Sequence, residues 1–288
     1  VTHTSGPGVC LKGAAINLAV MAEIHLVVVN VQRAGPSIGM PTKGEQAVLL
    51  QALYGRIGDS PLVVIAAYSP THCFDAAYMA AKLALEHMTP VILLTDGYIA
   101  NGAAAWKIPS MEEYPPINPP YVKPKMIEGW KPYNRNIETL VRYWAVPGTE
   151  NFQHRLGGLE KDYMNSSIST DASNHQKMTL TRQAKIDYIA NCIPAQEVQG
   201  DVDDADLLIV GWGGTYGHLY SALEIMRKQG LKVALAHFEY INPLPKNTEE
   251  VLRKYTKVVV AEQDMGQFAS LLRPNNPAIE VTQFNRVQ

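Results

Sequence analysis

The sequence predicts an α/β protein built on doubly wound parallel sheets, and three observations lead there. Short runs rich in Val and Ile, "LVVVNV" (26–31), "LVVIAA" (62–67) and "PVILLT" (90–95), are apolar on both faces, as central parallel strands are. Helix-like runs separate them, and strand, helix, strand in this order makes right-handed βαβ units. After a long interval of different composition the alternation resumes, with "DLLIVGWGG", "KVALAHF" and "KVVVAEQ" as strands.

The opening "VTHTSGPG" reads as the end of a strand and the turn after it. The closing "FNRVQ" carries no capping element, and a preceding segment is expected to supply the first strands of the same sheet. A helix near 8–22 has Ala, Leu, Ile and Met at mixed i+3/i+4 spacing. Past the strand at 26–31, "TKGE" is a capping box with Glu45 at the third helical position, so a second helix is expected to open at Thr42. A third, near 70–87, has Ser69 as candidate cap and Pro70 at its first position. From about Gly102 to Asn174 the pattern fails. "MEEYPPINPPYVKPKMIEGWKPYN" is crowded with Pro, Tyr and Trp, and the part after it is polar and rich in Gly, Ser and Asn. So long a run without regular structure is unusual inside one domain. Its aromatics fit an arm lying on a surface, ordered against a second subunit. A helix near 175–192 leads to the second unit, with helices at 215–229, 246–254 and 265–272. The expected division is 1–110, 111–200 (arm and linker helix) and 201–288.

At 288 residues the chain has room for about two domains. Net charge −2, from 25 basic and 27 acidic residues, leaves no electrostatic footprint for nucleic acid or an anionic membrane. The longest apolar stretch is broken by Glu23 and His25, so it cannot span a bilayer. Cys10, Cys73 and Cys192 lie far apart, which suits a reducing cytosol and falls short of the four thiolates of an iron–sulfur cluster. No signal-peptide pattern opens the sequence, and a cytoplasmic location is expected.

Ligands of doubly wound sheets bind at the carboxyl ends of the strands, where "TSGPG" (4–8), "NVQRAGPS" (30–37), "AYSPTH" (67–72) and "TDGYIANG" (95–102) fall. Arg33 stands where a buried strand surfaces, and a guanidinium can grip a carboxylate with two parallel hydrogen bonds. The helix expected at Thr42 would add N–H donors beside it. On spacing alone, an arginine covering a strand end and an ordinary cap account for the same residues. "TDG" with Asn101 carries oxygen ligands that suit Mg²⁺, though a strand-ending turn explains it better. "GWGGTYG" invites a dinucleotide reading, but G-x-G-x-x-G from Gly211 needs glycine at 216, where Tyr216 stands.

"TSGPG", "VNVQRAGPSIGMPTKGEQ", "VILLTDGYIANG", "AVPGT", "HRLGGLEKD", "NHQKM" and "YINPLP" occur in this order. Together they resemble the alpha subunit of 2-oxoacid:ferredoxin oxidoreductases, most like the 2-oxoglutarate enzymes. The resemblance implies a pyrimidine-type thiamine diphosphate-binding domain followed by a transketolase C-terminal-like α/β domain. It implies oxidative decarboxylation of a 2-oxoacid to acyl-CoA and CO₂, with electrons passed to ferredoxin. Thiamine diphosphate is then shared with a beta subunit, which holds Mg²⁺ and a [4Fe–4S] cluster; a gamma subunit or domain is a further partner. Arg33 aligns with the arginine that binds the substrate carboxylate, and Thr42 with a threonine of the loop that closes on the substrate. Thr4, Ser5, Gly6 and Pro7 fall on the cofactor segment. The activating glutamate aligns upstream of Val1, and neither Glu23 nor Glu45 takes its place. Ala34 departs from the family's usual glycine and Ile38 from its usual threonine, which bears on side-chain selectivity. Two other classes stay open: a non-catalytic assembly or docking subunit, and a nucleotide-binding α/β domain.

Overall fold

In the computed structural model, which describes residues 1–287, the chain forms two five-stranded sheets. The first is built from β1 (Thr2–Thr4), β2 (Leu26–Gln32), β3 (Val63–Ala66), β4 (Pro90–Asp96) and β8 (Tyr240–Asn242). Its order is β1–β2–β4–β3–β8, parallel except for β8. Side chains alternate across each strand. Val28, Val64 and Ile92 therefore meet α2 (Gly13–Ala22) and α3 (Leu49–Tyr54) on one face. Val27, Ile65 and Leu93 meet α4 (His72–His87) on the other. The chain steps past one strand position between β2 and β3, then returns to fill it with β4. A right-handed crossover in the reverse direction must lie on the opposite face, which is why α4 does.

The second sheet has the order β10–β9–β6–β7–β5. It comprises β5 (Gln199–Gly200), β6 (Leu207–Trp212), β7 (Val233–Phe238), β9 (Lys257–Glu262) and β10 (Val281–Asn285). Around it lie α7 (Tyr216–Lys228), α8 (Thr248–Arg253) and α9 (Gln267–Asn275). Trp212, Phe238 and Phe268 belong to one apolar core that continues through Leu49 and Ala52 into the first sheet. After β7 the chain crosses over, and β8 pairs with β3, where Asn242 Nδ2 donates to Leu62 O at 2.6 Å. The two sheets are interlocked through strand and core alike.

The helix expected at Thr42 does not form. Thr42 lies in a turn at φ 63°, and the helix begins at Leu49. A capping box needs the glutamate to reach back to the cap's own N–H. Here Glu45 Oε2 instead accepts the Gly35 N–H at 2.7 Å. The helix near 8–22 is two helices, α1 (Gly6–Leu11) and α2, joined at Lys12. The strand end read in "VTHT" is β1, whereas β5, β8 and β10 have no counterpart among the expected strands.

The arm contains only two 3₁₀ turns, Met111–Glu113 and Pro124–Met126. Its second half packs on its own chain, at the C-terminal end of α2. Lys161 Nζ donates to Met21 O (3.0 Å), Tyr133 Oη to Ala22 O (3.2 Å) and Arg142 Nε to Glu23 O (3.0 Å). These carbonyls lack partners within a helix, and cations at a helix C-terminus oppose its dipole favourably. The Glu23 carboxylate, itself buried, pairs with Arg135 and with Lys185 Nζ (3.0 Å) of α6 (Ala172–Tyr188). The arm's earlier residues Trp106, Ile108, Met111 and Tyr121 stay exposed. Among the described residues no helix is long and apolar enough to cross a membrane.

Candidate functional site

A cavity of about 750 Å³ opens beyond β2, lined by Gly6 and Pro7 of α1, by Arg33, Gly35 and Glu45, and by Asp264 from the second sheet. Arg33 extends from the carboxyl end of β2. Its Nε is buried without a hydrogen-bond partner, and no carboxylate among the described residues pairs with its guanidinium. The loop that follows is fastened to itself: Ala34 N donates to Lys43 O (3.0 Å) and Met40 N to Ala34 O (2.9 Å). Gly39, at φ 56°, makes this closure possible, since a Cβ there would lie 1.5 Å from Ala34 O. Ala34 is buried and Ile38 is exposed at the tip.

Of the cofactor segment, Gly6 and Pro7 line the cavity, whereas Thr4 ends β1 and Ser5 precedes α1 without a side-chain cap bond. Thr42 is exposed outside the cavity lining, its hydroxyl donating to Pro41 O (2.6 Å). Arg33, Gly6 and Pro7 thus line one cavity, and Thr42 lies outside its lining, although its neighbour Lys43 is bonded through its carbonyl to Ala34 N. Asp96 of "TDG" is buried between the sheets, where its Oδ1 accepts from Ile99 N (2.9 Å) to cap α5 (Gly97–Asn101). Burial raises its pKa. Gly214 packs so closely that a Cβ would lie 2.1 Å from Asp96 Oδ2. That approach explains a glycine of "GWGGTYG" without a nucleotide.

Sequence reasoning missed three residues of the second sheet's rim and the one that meets them. Sheet order places the switch point at β6, with β7 on one side and β9 on the other, where such sheets usually bind ligands. Gln46 occupies that place. Its Nε2 donates to Trp212 O (2.6 Å), its Oε1 accepts from Gln263 N (2.9 Å), and its N–H donates to Gln263 O (3.1 Å). Next to it, Glu262 and Asp264 are both buried. Glu262 accepts from Phe268 N (2.7 Å), Ala269 N (3.0 Å) and Trp212 Nε1 (3.1 Å), and Asp264 Oδ1 accepts from Gly266 N (2.6 Å) and Gln267 N (3.0 Å). Burial and then the Asp264 charge push Glu262 up to about 7, and burial also raises Asp264. Asp264 Oδ2 has no partner. A signal existed: residues two apart at a strand end point the same way, so "EQD" after a buried strand sends two carboxylates to one side.

Residues 1–172 match the family model described as pyruvate flavodoxin/ferredoxin oxidoreductase, thiamine diphosphate-binding, and residues 205–281 match pyruvate:ferredoxin oxidoreductase core domain II. The chain belongs to the pyruvate flavodoxin/ferredoxin oxidoreductase family. Within the family it is 50% identical to the 2-oxoglutarate oxidoreductase subunit KorA of Mycobacterium tuberculosis over 273 residues, 95% of this chain and 41% of that protein. It is 30% identical to the 2-oxoglutarate synthase subunit KorA of Methanocaldococcus jannaschii over 93% of this chain and 70% of that protein. It therefore spans well under half of the first relative's length. Among solved structures, a 2-oxoglutarate:ferredoxin oxidoreductase from Magnetococcus marinus, with 2-oxoglutarate, coenzyme A and succinyl-CoA bound, superposes with a TM-score of 0.91 at 29% identity. That match covers 99% of this chain and 50% of the other. The family's first domain is a thiamine diphosphate-binding α/β domain, in agreement with the fold expected from the sequence.

Proposed function

We propose that this chain supplies the alpha-subunit part of an active site for oxidative decarboxylation of a 2-oxoacid, 2-oxoglutarate above others, to acyl-CoA and CO₂ with electrons passed to ferredoxin. The observation that carries the reading is the unpaired Arg33 guanidinium lining a cavity of about 750 Å³. Rigid, forked donors without an acid of their own suit a ligand carboxylate. The names of the relatives support the choice of 2-oxoglutarate.

The cavity also suits thiamine diphosphate, since it offers the α1 wall on one side and the orphaned Asp264 oxygen on the other. Thr4, Ser5, Gly6 and Pro7 are assigned to border the cofactor. Bound there, it supplies the nucleophilic carbon and the electron sink that loss of CO₂ requires. Arg33 holds and orients the substrate carboxylate, and Thr42, brought in by closure of the 34–43 loop, contacts the substrate's side-chain end. Mg²⁺ and a [4Fe–4S] cluster are assigned to a beta partner, with a gamma subunit or domain besides, and the complex to the cytoplasm. The division of the chain at 110 and 200 belongs to the same reading.

Arg33→Ala in the complex reconstituted from the full-length chain and a beta-type partner tests it. Loss of a bidentate, charge-assisted contact costs about 2–4 kcal/mol, or about 30- to 1000-fold in kcat/KM for the 2-oxoacid. Thiamine diphosphate affinity should be retained, and Arg33→Lys should rescue only in part. Unchanged kcat/KM would make Arg33 a strand-end residue and favour a scaffolding subunit.

A further inference from the structure

A second cavity of about 270 Å³ lies where the carboxyl ends of β3 and β7 approach each other. Its walls include Tyr68, Tyr216, His237, Glu239 and Glu197. The aromatic groups form one cluster. The Tyr68 ring stacks on His72 (centroids 3.7 Å apart) and meets Tyr216 at 4.9 Å, and Tyr216 meets His237 edge-on at 5.1 Å. The cluster is held from outside: Gln199 Nε2 donates to Tyr216 Oη (3.2 Å), and Gln196 Nε2 donates to His237 O (3.0 Å). Gln196 is in turn clasped by Asn247 through two bonds, of 2.7 and 3.0 Å.

Among the described residues, the carboxylates around this cluster have no Lys or Arg beside them. Glu239 lies 3.4 Å from His72 Nε2, while His72 Nδ1 accepts the Tyr68 N–H (3.4 Å) and so carries no proton. With Nδ1 accepting, the Nε2 hydrogen of His72 faces Glu239. Burial pushes His237 down to about 3, so it is neutral near pH 7. No Lys or Arg among the described residues pairs with Glu239 or Glu197. The Tyr68 hydroxyl registers the result: burial and then Glu239, Tyr216, Asp75 and Glu197 all raise its pKa. Phenol rings attract cations through their faces, and two carboxylates at the rim without a Lys or Arg partner add Coulombic attraction.

We propose that this cavity is a site for an organic cation, a guanidinium or primary ammonium group that lies against the Tyr68 and Tyr216 rings with Glu239 and Glu197 as its counter-ions. Its volume admits the head of one side chain or a small amine. The chemistry is common to a free cationic metabolite and to a lysine or arginine presented by a protein, and the site is independent of Arg33 and its cavity.

Calorimetric titration of the intact chain with Nα-acetyl-arginine amide, Nα-acetyl-lysine amide and the neutral Nα-acetyl-citrulline amide tests this. The cationic probes should bind and citrulline amide should not. Tyr68→Ala and Glu239→Gln should each weaken binding about tenfold, the size of a partly desolvated cation–π or ionic contact. Glu197→Gln, at the exposed rim and harmless to folding, should weaken it severalfold and reduce its dependence on salt. Tighter binding by an arginine-containing hexapeptide than by the amide would identify a protein as the source, and equal binding a small molecule. Equal affinity for citrulline amide, no binding of either cation, or Glu239→Gln and Glu197→Gln proteins that fold and bind as wild type would overturn the proposal.

Discussion

Glu23→Gln should be among the most destabilising isosteric changes in this chain. The glutamine keeps the shape and leaves the backbone carbonyl that Arg142 uses, so it removes one charge and little else. That charge faces Arg135 and Lys185, whose side chains are 3% and 4% exposed. Burial alone would raise the Glu23 pKa, but Lys185 and Arg135 outweigh it and hold the carboxyl well below its usual range. Removing one member of a buried ion set strands the others in a dry interior, which costs about 3–5 kcal/mol. For a chain of this length that is roughly 5–8 °C in the melting midpoint. Because the folded pKa is depressed, the stabilisation is complete above the unfolded value near 4.5 and declines as pH falls below it. Urea unfolding of wild type and Glu23→Gln between pH 3 and pH 7 measures both effects. The two proteins should differ most near neutrality and converge in acid, with protease cleavage in the 130–168 arm accelerated in the variant. A stability difference below about 0.5 kcal/mol at pH 7, with no convergence in acid, would refute the argument, because only surface pairs cost so little.

Gln46→Ala should cost about 1–3 kcal/mol in denaturant unfolding, since it leaves Gln263 N buried without a partner and leaves Trp212 O with only the Thr215 hydroxyl. Gly39→Ala should impair use of the 2-oxoacid far more than it lowers the melting midpoint. A methyl group 1.5 Å from Ala34 O must open the 34–43 loop while the sheets stay intact, and steady-state kinetics beside a thermal melt separates the two. Glu262, raised to about 7 by burial and by Asp264, works opposite to Glu23. Its folded form holds a proton that the unfolded chain releases near 4.5, so stability should fall as pH rises from about 5 to 7, by an amount on the order of 2 kcal/mol. A urea midpoint that stays flat across that interval would contradict the assignment.

The strands at 26–32, 63–66 and 90–96 were legible because a strand covered on both faces must be apolar at every position, whatever its neighbours. Strand β8 was not, because "YIN" becomes a strand only by meeting β3, far away in the chain. The capping-box pattern at Thr42 misled for the same reason: it is a local signal, and the Gly35 N–H outcompeted it for Glu45. At the site, Arg33 could be found from its place at a strand end. Gln46 and Asp264 could not be placed beside it, since the Gln46–Gln263 contact joins residues 217 positions apart. Side chains that speak only across such separations leave no trace in local pattern.

That contact has a mechanical side. The segment carrying Arg33 is rooted at one end in β2 of the first sheet and bolted at the other, through Gln46, to Trp212 and Gln263 of the second. It is a strut between the two sheets. Any rotation of one sheet against the other pulls on the strut and displaces the guanidinium, and a carboxylate held by the guanidinium resists the rotation. Such coupling is reciprocal by thermodynamic necessity. An acid held by Arg33, as proposed, would stiffen the junction of the two sheets, and strain in that junction would loosen the hold.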